Sequence, residues 1–150
     1  MAALTRVYED DSLKISWHES HAYYLSDWQP AFRKGADLRR SYQACIDAAR
    51  ARPGALWLAD ASKFAVIDQA DVKWIESWFW PEFIRAGAVY EAAVMPEKEV
   101  AKMAANRSVE KMLKAGGFEI SMHRTRAEAE AALLEWRAKR AAKARDPRRS

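Results

Sequence analysis

The chain of 150 residues contains one cysteine, Cys45, so no internal disulfide can form and a reducing compartment suits it. It has only five glycines and neither a G-x-G-x-x-G nor a Walker-type loop, which argues against a phosphate cradle. The AGG at 115–117 reads as a helix stop. No apolar run approaches the roughly 18 residues of a membrane span, and MAALTRVYEDD lacks the apolar core of a signal peptide. A cytoplasmic location is the expectation.

Catalytic and metal constellations are also lacking. His18, Glu19 and His21 come nearest to a metal site. Three ligands in one predicted turn, without a rigid helix or a cysteine, rarely converge, so they read as solvated turn residues. His123 reads as exposed after the last strand, and Cys45, on an apolar helix stripe, reads as a small hydrophobe. No acid–base pair can be assembled from spacing, so neither an enzyme nor a cofactor or metal is expected.

Charge is unevenly placed. Residues 137–150 (RAKRAAKARDPRRS) hold seven Lys/Arg and one Asp, net +6, whereas the other 136 residues hold 18 basic and 20 acidic side chains, net −2. The body is near neutral, and the basic stretch reads as a solvated helix end. Nucleic-acid contact is not expected except through this tail, which could touch phosphates electrostatically.

What the chain does have is regular patterning around a large aromatic content. SLKISW alternates as a half-buried strand, TRVYE before it is weaker, and AYYLSDW is a third, with turns at Asp10–Asp11 and HESH (18–21). Pro30 is expected to open a helix carrying Leu38, Tyr42, Cys45, Ile46 and Ala49 on one side, stopped by Arg52–Gly54. ALWLAD (55–60) is a continuous apolar run, the pattern of a strand covered on both faces. Asp68 is the expected N-cap of the next helix, with Asp71 facing the dipole in its first turn, and Gly87 suits its C′ position. AVYEAAVM (88–95) is a strand. A helix from Pro96 with Val100, Met103, Met112 and Leu113 on its apolar side comes next, with a possible interruption at Asn106–Ser108. FEISM is a strand with one wet face, and Thr125 and Glu128 form a capping box for the last helix. The expected architecture is α/β. It is a single domain with a five- or six-stranded mixed sheet and about four helices, spanning 7–136 with the basic helix end or tail at 137–150.

The segment DVKWIESWFWPEFIRAG (71–87) is the richest in aromatics. At 3.6 residues per turn Val72, Ile75, Phe79, Phe83 and Ala86 share the sheet-facing stripe, Trp74 and Trp78 form a ridge at its margin, and Trp80 and Ile84 fall on the far side. Pro81 lacks an N–H and clashes with the carbonyl of Ser77, so the helix should kink or restart there. This is more aromatic surface than one sheet face can cover. The surplus would meet a flanking helix, a second subunit, or a ligand lined by Trp57, Trp74 and Trp78.

Asp60, Ser62, Ile67 and Asp68 in LADASKFAVIDQAD (58–71) fall at the spacing of a strand ending in Asp-x-Ser followed by Ile-Asp at a helix start. This resembles the central signature of STAS-type domains, the SpoIIAA-like anti-sigma-factor antagonists. The pieces WLAD, VKWIESWFWPEF, Gly87, AAVMPE and AEAALLEW are similar to a family of small SpoIIAA-like bacterial proteins grouped with CRAL-TRIO-like lipid carriers. The antagonists carry a phosphorylatable serine at that helix start. Gln69 and Ala70 stand there instead, and Asp71 replaces a glycine, so the phospho-switch is not carried over.

The resemblance implies a STAS-like fold and a non-catalytic interaction or regulatory role. The expected form is a homodimer through an aromatic face that includes Trp57, Trp74, Trp78, Trp80 and Phe83, with Asp60, Ser62 and Asp68 as a switch-loop cluster. A protein partner would fit that role. The alternative is a carrier of a small apolar or lipid-like ligand beside Trp57 and Trp74.

Overall fold

The computed structural model describes residues 3–30, 34–64, 67–97, 103, 106–107, 109–110, 116–145 and 148. Six strands form one sheet in sequential order: β1 (Leu4–Glu9), β2 (Leu13–His18), β3 (Tyr23–Trp28), β4 (Leu56–Asp60), β5 (Tyr90–Val94) and β6 (Glu119–His123). The first three pair antiparallel through short turns, and β3 to β6 run parallel. The expected α/β class and mixed sheet are both present. Three continuous helices lie among the described residues, the second divided into two α segments by a π-turn; most of the expected third of four, from Pro96 to 115, lies outside them, although residues 103, 106–107 and 109–110 are helical.

Sequential strand order has a geometric consequence. Each parallel crossover steps the same way, and right-handed crossovers then place their helices on the same face. Leu13, Ile15, Tyr24, Trp28 and Trp57 of that face pack with Leu38, Cys45 and Ile46 of α1 (Ala36–Ala51) and with Phe79 and Phe83 of the next helix. The last helix, α4 in our numbering (Arg126–Arg145), covers the opposite face, where Tyr23, Leu25, Leu58, Tyr90 and Val94 enclose Ala129 and Leu133. Strands β4 and β5 are buried at every position, as continuous apolar runs require.

The helix boundaries follow local chemistry. α1 begins at Ala36 rather than beside Pro30. Gly35 takes φ 60° and ψ −135°, a backbone almost confined to glycine, and its N–H donates to both carboxylate oxygens of Asp71 at 3.2 and 3.0 Å. Asp71 is thus buried and also 3.5 Å from Arg39, more than a dipole partner at a helix start. Residues 31–33, within the expected first turn, lie outside the described residues. Asp68 caps α2 (Gln69–Trp74), its carboxylate accepting from Ala70 N–H at 3.3 Å. Thr125 and Glu128 cap α4: Thr125 Oγ1 accepts from Glu128 N–H, while the Glu128 carboxylate accepts from Arg124 N–H. α4 continues across 136/137 to Arg145, and Arg137 donates to the carbonyls of His21 and Ala22 in the β2–β3 turn.

The helix changes geometry just ahead of Pro81, which falls in the first turn of a new α-helical segment, so the expected restart is present. α2 passes into a π-turn at Ile75–Phe79 and on into α3 (Trp80–Arg85). The wider turn lets Trp80 N–H reach Ile75 O, five residues back, and relieves the carbonyl register that a proline at 81 would disrupt in an α-helix. One residue is inserted into the ladder, which rotates the later residues by about 100°. Trp80 therefore turns from the expected far side toward the core, where its ring packs on Phe79, Phe83 and Phe118. Ile84 packs against the same core.

Gly87 ends α3 at φ 120°, and a Cβ there would meet Pro53 Cα at 2.8 Å. Both atoms are backbone-anchored, because Gly54 N–H donates to Gly87 O at 2.9 Å. Gly87→Ala is expected to lower the unfolding free energy by about 2–4 kcal/mol. A urea midpoint within error of the parent would contradict the packing described at this turn.

Candidate functional site

The first face of the sheet is not filled. Ser26, Ala59 and Ala93 lie in register on β3, β4 and β5 and point toward the helices. Three small side chains in a row leave a hollow that the helices cannot collapse into, and a cavity of about 300 Å³ lies above them. Its walls are Trp28, Tyr42, Phe79, Trp80 and Phe83. Gln69 and Arg107, both exposed, and Pro96 also line it, so it reaches the surface beyond the carboxyl ends of the parallel strands. Open α/β sheets place ligands at that end.

The next row inward is Trp57, Glu91 and Ile120, again in register. Glu91 lies two residues before Ala93 on the same strand, about 7 Å deeper at 3.3 Å per residue. Its side chain is 9% exposed and has no hydrogen-bond or ion-pair partner among the described residues. Burial alone pushes its pKa up to about 8, because nothing nearby compensates the charged form. The Cys45 thiol and the Tyr42 phenol, on α1 above it, are pushed up chiefly by burial, with the negative charge of Glu91 adding to both. The indole nitrogens of Trp57 and Trp80 are buried with no acceptor among the described residues. The site is thus an apolar, aromatic-walled hollow with one carboxyl at its inner end.

The sequence-predicted residues divide between two places. Trp57, Trp80 and Phe83 line the cavity, with Trp57 held between the rings of Tyr24 and Phe83. Trp74 and Trp78 are not among its lining: they stack on each other with centroids 4.9 Å apart, at the outer margin of the helix. Trp74 is half-buried under Arg39 and beside Tyr42, and Trp78 is 38% exposed. Of Asp60, Ser62 and Asp68, the first two meet and the third caps a helix. Asp60 points to the opposite face, where one carboxylate oxygen accepts from Ser62 N–H and Oγ and the other accepts from Arg126 at 2.8 and 3.0 Å. Burial opposes its charge, but these donors hold its pKa below the ordinary value. The Ser62 hydroxyl is engaged by Asp60, and Asp68 is a helix cap.

Two histidines sit differently from expectation. His18 ends β2 and is buried, its ring between those of Tyr23 and His21, with Nδ1 accepting from His21 N–H. A strand residue facing a packed helix cannot remain a solvated turn residue. His123 is half-buried at the end of β6, with Nε2 2.7 Å from Ser121 Oγ. Among the described residues no group of three or more His, Cys, Asp or Glu could hold a metal, and no helix is long and apolar enough to cross a membrane.

Sequence reasoning missed Glu91, Tyr42 and the small row. One signal was present: YEAAV is apolar except for Glu91, so a strand covered on both faces must bury that acid.

Glu91 makes stability fall with pH. Its ordinary pKa is about 4.3 in an unfolded chain, and about 8 in the fold. The folded state therefore holds the extra proton between those values; the neutral form's contribution is fully present below pH 4 and is lost as pH rises through 8. Glu91→Gln should remove this slope and make the ligand-free protein more stable than the parent at pH 9 by about 3–5 kcal/mol. Parallel stability–pH curves for the two proteins would contradict an unpartnered carboxyl.

No protein-family model matches this sequence, and no curated protein or solved structure matches it.

Proposed function

We propose that this protein is a non-catalytic binding module for a small, largely apolar ligand, held between the sheet and the π-interrupted helix. The single observation that carries the reading is the hollow above Ser26, Ala59 and Ala93. Its volume of about 300 Å³ is at the small end of ligand pockets, and its lining, aromatic with few polar groups, has their usual composition. An empty space of this size costs stability unless something occupies it. Among the described residues no nucleophile–base–orienter geometry borders it: the Cys45 thiol is driven toward its neutral form by burial. A carrier or ligand sensor accounts for the lining better than an enzyme does.

The other expectation, a STAS-like regulatory domain that dimerises through its aromatic face, rests on less surface. Of the rings on the helix, only Trp78 is exposed. A single indole is a normal surface feature and is far short of the roughly 800 Å² per partner of a stable interface.

n-Octanol should bind at a single site and raise the melting temperature in a concentration-dependent way. Ala93→Leu, which projects a larger side chain into the hollow, should weaken that binding by about tenfold or more without lowering the melting temperature. Calorimetric titration that detects no octanol binding, or that finds it undiminished in Ala93→Leu, would sink the reading.

A further inference from the structure

The geometry points to a ligand class: we infer that the cavity takes a primary amine with an apolar body, bound as its ammonium, with Glu91 as counter-ion. This rests on the reading of the cavity as a ligand site and adds the chemistry of the ligand's head group.

Three observations converge. First, the carboxyl of Glu91 is nine-tenths buried at the inner end of the cavity and has no partner among the described residues. A buried carboxyl left alone is destabilising, and an opposite charge within the same hollow offsets that cost. Its upward displacement to about pKa 8 reports the same unmet demand. Second, the walls are aromatic: Trp28, Tyr42, Trp57, Phe79 and Trp80 surround the space. Aromatic faces carry negative potential and attract cations, while they repel carboxylates and phosphates. Third, among the described residues no cationic side chain lies at the inner end, where the neutral Tyr42 phenol is the nearest O–H donor. The Trp57 and Trp80 indole nitrogens are sealed from even a water-sized visitor. Arg107, a cation among the lining residues, is an exposed residue. The remaining titratable neighbours, Tyr42 and Cys45, are both pushed up by burial and stay neutral near pH 7.

The arrangement therefore orders a ligand from end to end. The ammonium reaches Glu91, the body lies over Ala59 and Ala93, and the far end approaches Gln69 and Arg107. An alcohol of the same length would keep the apolar contact and lose the ion pair. A carboxylate of the same length would gain no ion pair and would oppose the ionisation of Glu91.

Calorimetric titration of the full chain with n-octylamine, n-octanol and n-octanoic acid, all below their micellar concentrations at pH 7, tests this directly. Octylamine should bind at least about tenfold tighter than either congener, since ion pairing and cation–π contact act only on the ammonium. In Glu91→Gln that advantage should vanish. Octanol or octanoic acid binding as tightly as the amine would overturn the amine assignment and leave the cavity reading standing. So would an advantage that survives in Glu91→Gln, because the cation would then be held elsewhere. Failure of all three probes to bind would overturn both.

Discussion

A sheet covered on both faces has no wet side on which to place a charge, and Glu91 sits in the middle of such a sheet. β5 has β4 and β6 as neighbours and α4 on one face, and on the other it borders the cavity that the α2–α3 helix also lines. Alternation along the strand sends Tyr90, Ala92 and Val94 toward α4 and Glu91 and Ala93 toward the cavity. A one-residue slip would put Tyr90 and Val94 into the hollow and the acid against Leu133, so the register and the unpaired carboxyl are specified together. The chain keeps its least comfortable group at a position where every other requirement of the fold favours a hydrophobe. Residues that break a local rule without a compensating contact mark functional or strained sites.

The cavity exists because of two departures that reinforce each other. Small side chains at Ser26, Ala59 and Ala93 remove volume from the sheet, and the π-turn at Ile75–Phe79 changes what the helix presents above them. In an uninterrupted helix Trp80 would leave the interface and the stripe of Ile75, Phe79 and Phe83 would continue alone. The inserted residue brings Trp80 around, so that its ring closes one wall and rests on Phe118. Proline at 81 makes the ordinary ladder costly and so favours the wide turn. π-Turns of this kind are concentrated at functional sites, and here the reason is plain: the turn re-aims an aromatic side chain.

Much of the architecture could be read from periodicity. The alternation in SLKISW and the unbroken ALWLAD and AVYEAAVM runs specify strands, and the caps at Asp68 and Thr125 specify where helices begin. Local signals failed where a long-range contact competes with them. Pro30 is a reasonable helix opener, yet Gly35 and its bond to Asp71, 36 positions later, set where α1 starts. Asp71 carries the mark of a dipole partner but is buried against another segment. The Trp80 assignment failed because a single π-turn shifts every later residue, and no pattern count at 3.6 residues per turn registers that. The small row was invisible for a different reason: Ser26, Ala59 and Ala93 are ordinary in their own strands and meaningful only once the strands are in register.

The buried carboxylates differ in their partners: Asp71, among the helices of the first face, accepts from Gly35 N–H and lies near Arg39, whereas Glu91 has no partner among the described residues. Asp60 is also at the end of a covered strand, yet it accepts from Ser62 twice and from the Arg126 guanidinium, which also lies 3.4 Å from Asp27. Tyr23 donates to Glu130, and Arg137 holds the β2–β3 turn from the far end of α4. On the α4 face Asp60, Asp27 and Tyr23 each meet a partner from α4, and the helix is pinned at both ends. On the other face Glu91 has no hydrogen-bond or ion-pair partner among the described residues and shares its cavity with aromatic rings and the Cys45 thiol. The same fold supplies an arginine where the Asp60 carboxylate is structural, and among the described residues it sets none against Glu91. A group kept unpaired in a hollow with a path to solvent is available to whatever enters. That contrast separates the packing role of the α4 face from the binding role we assign to the other.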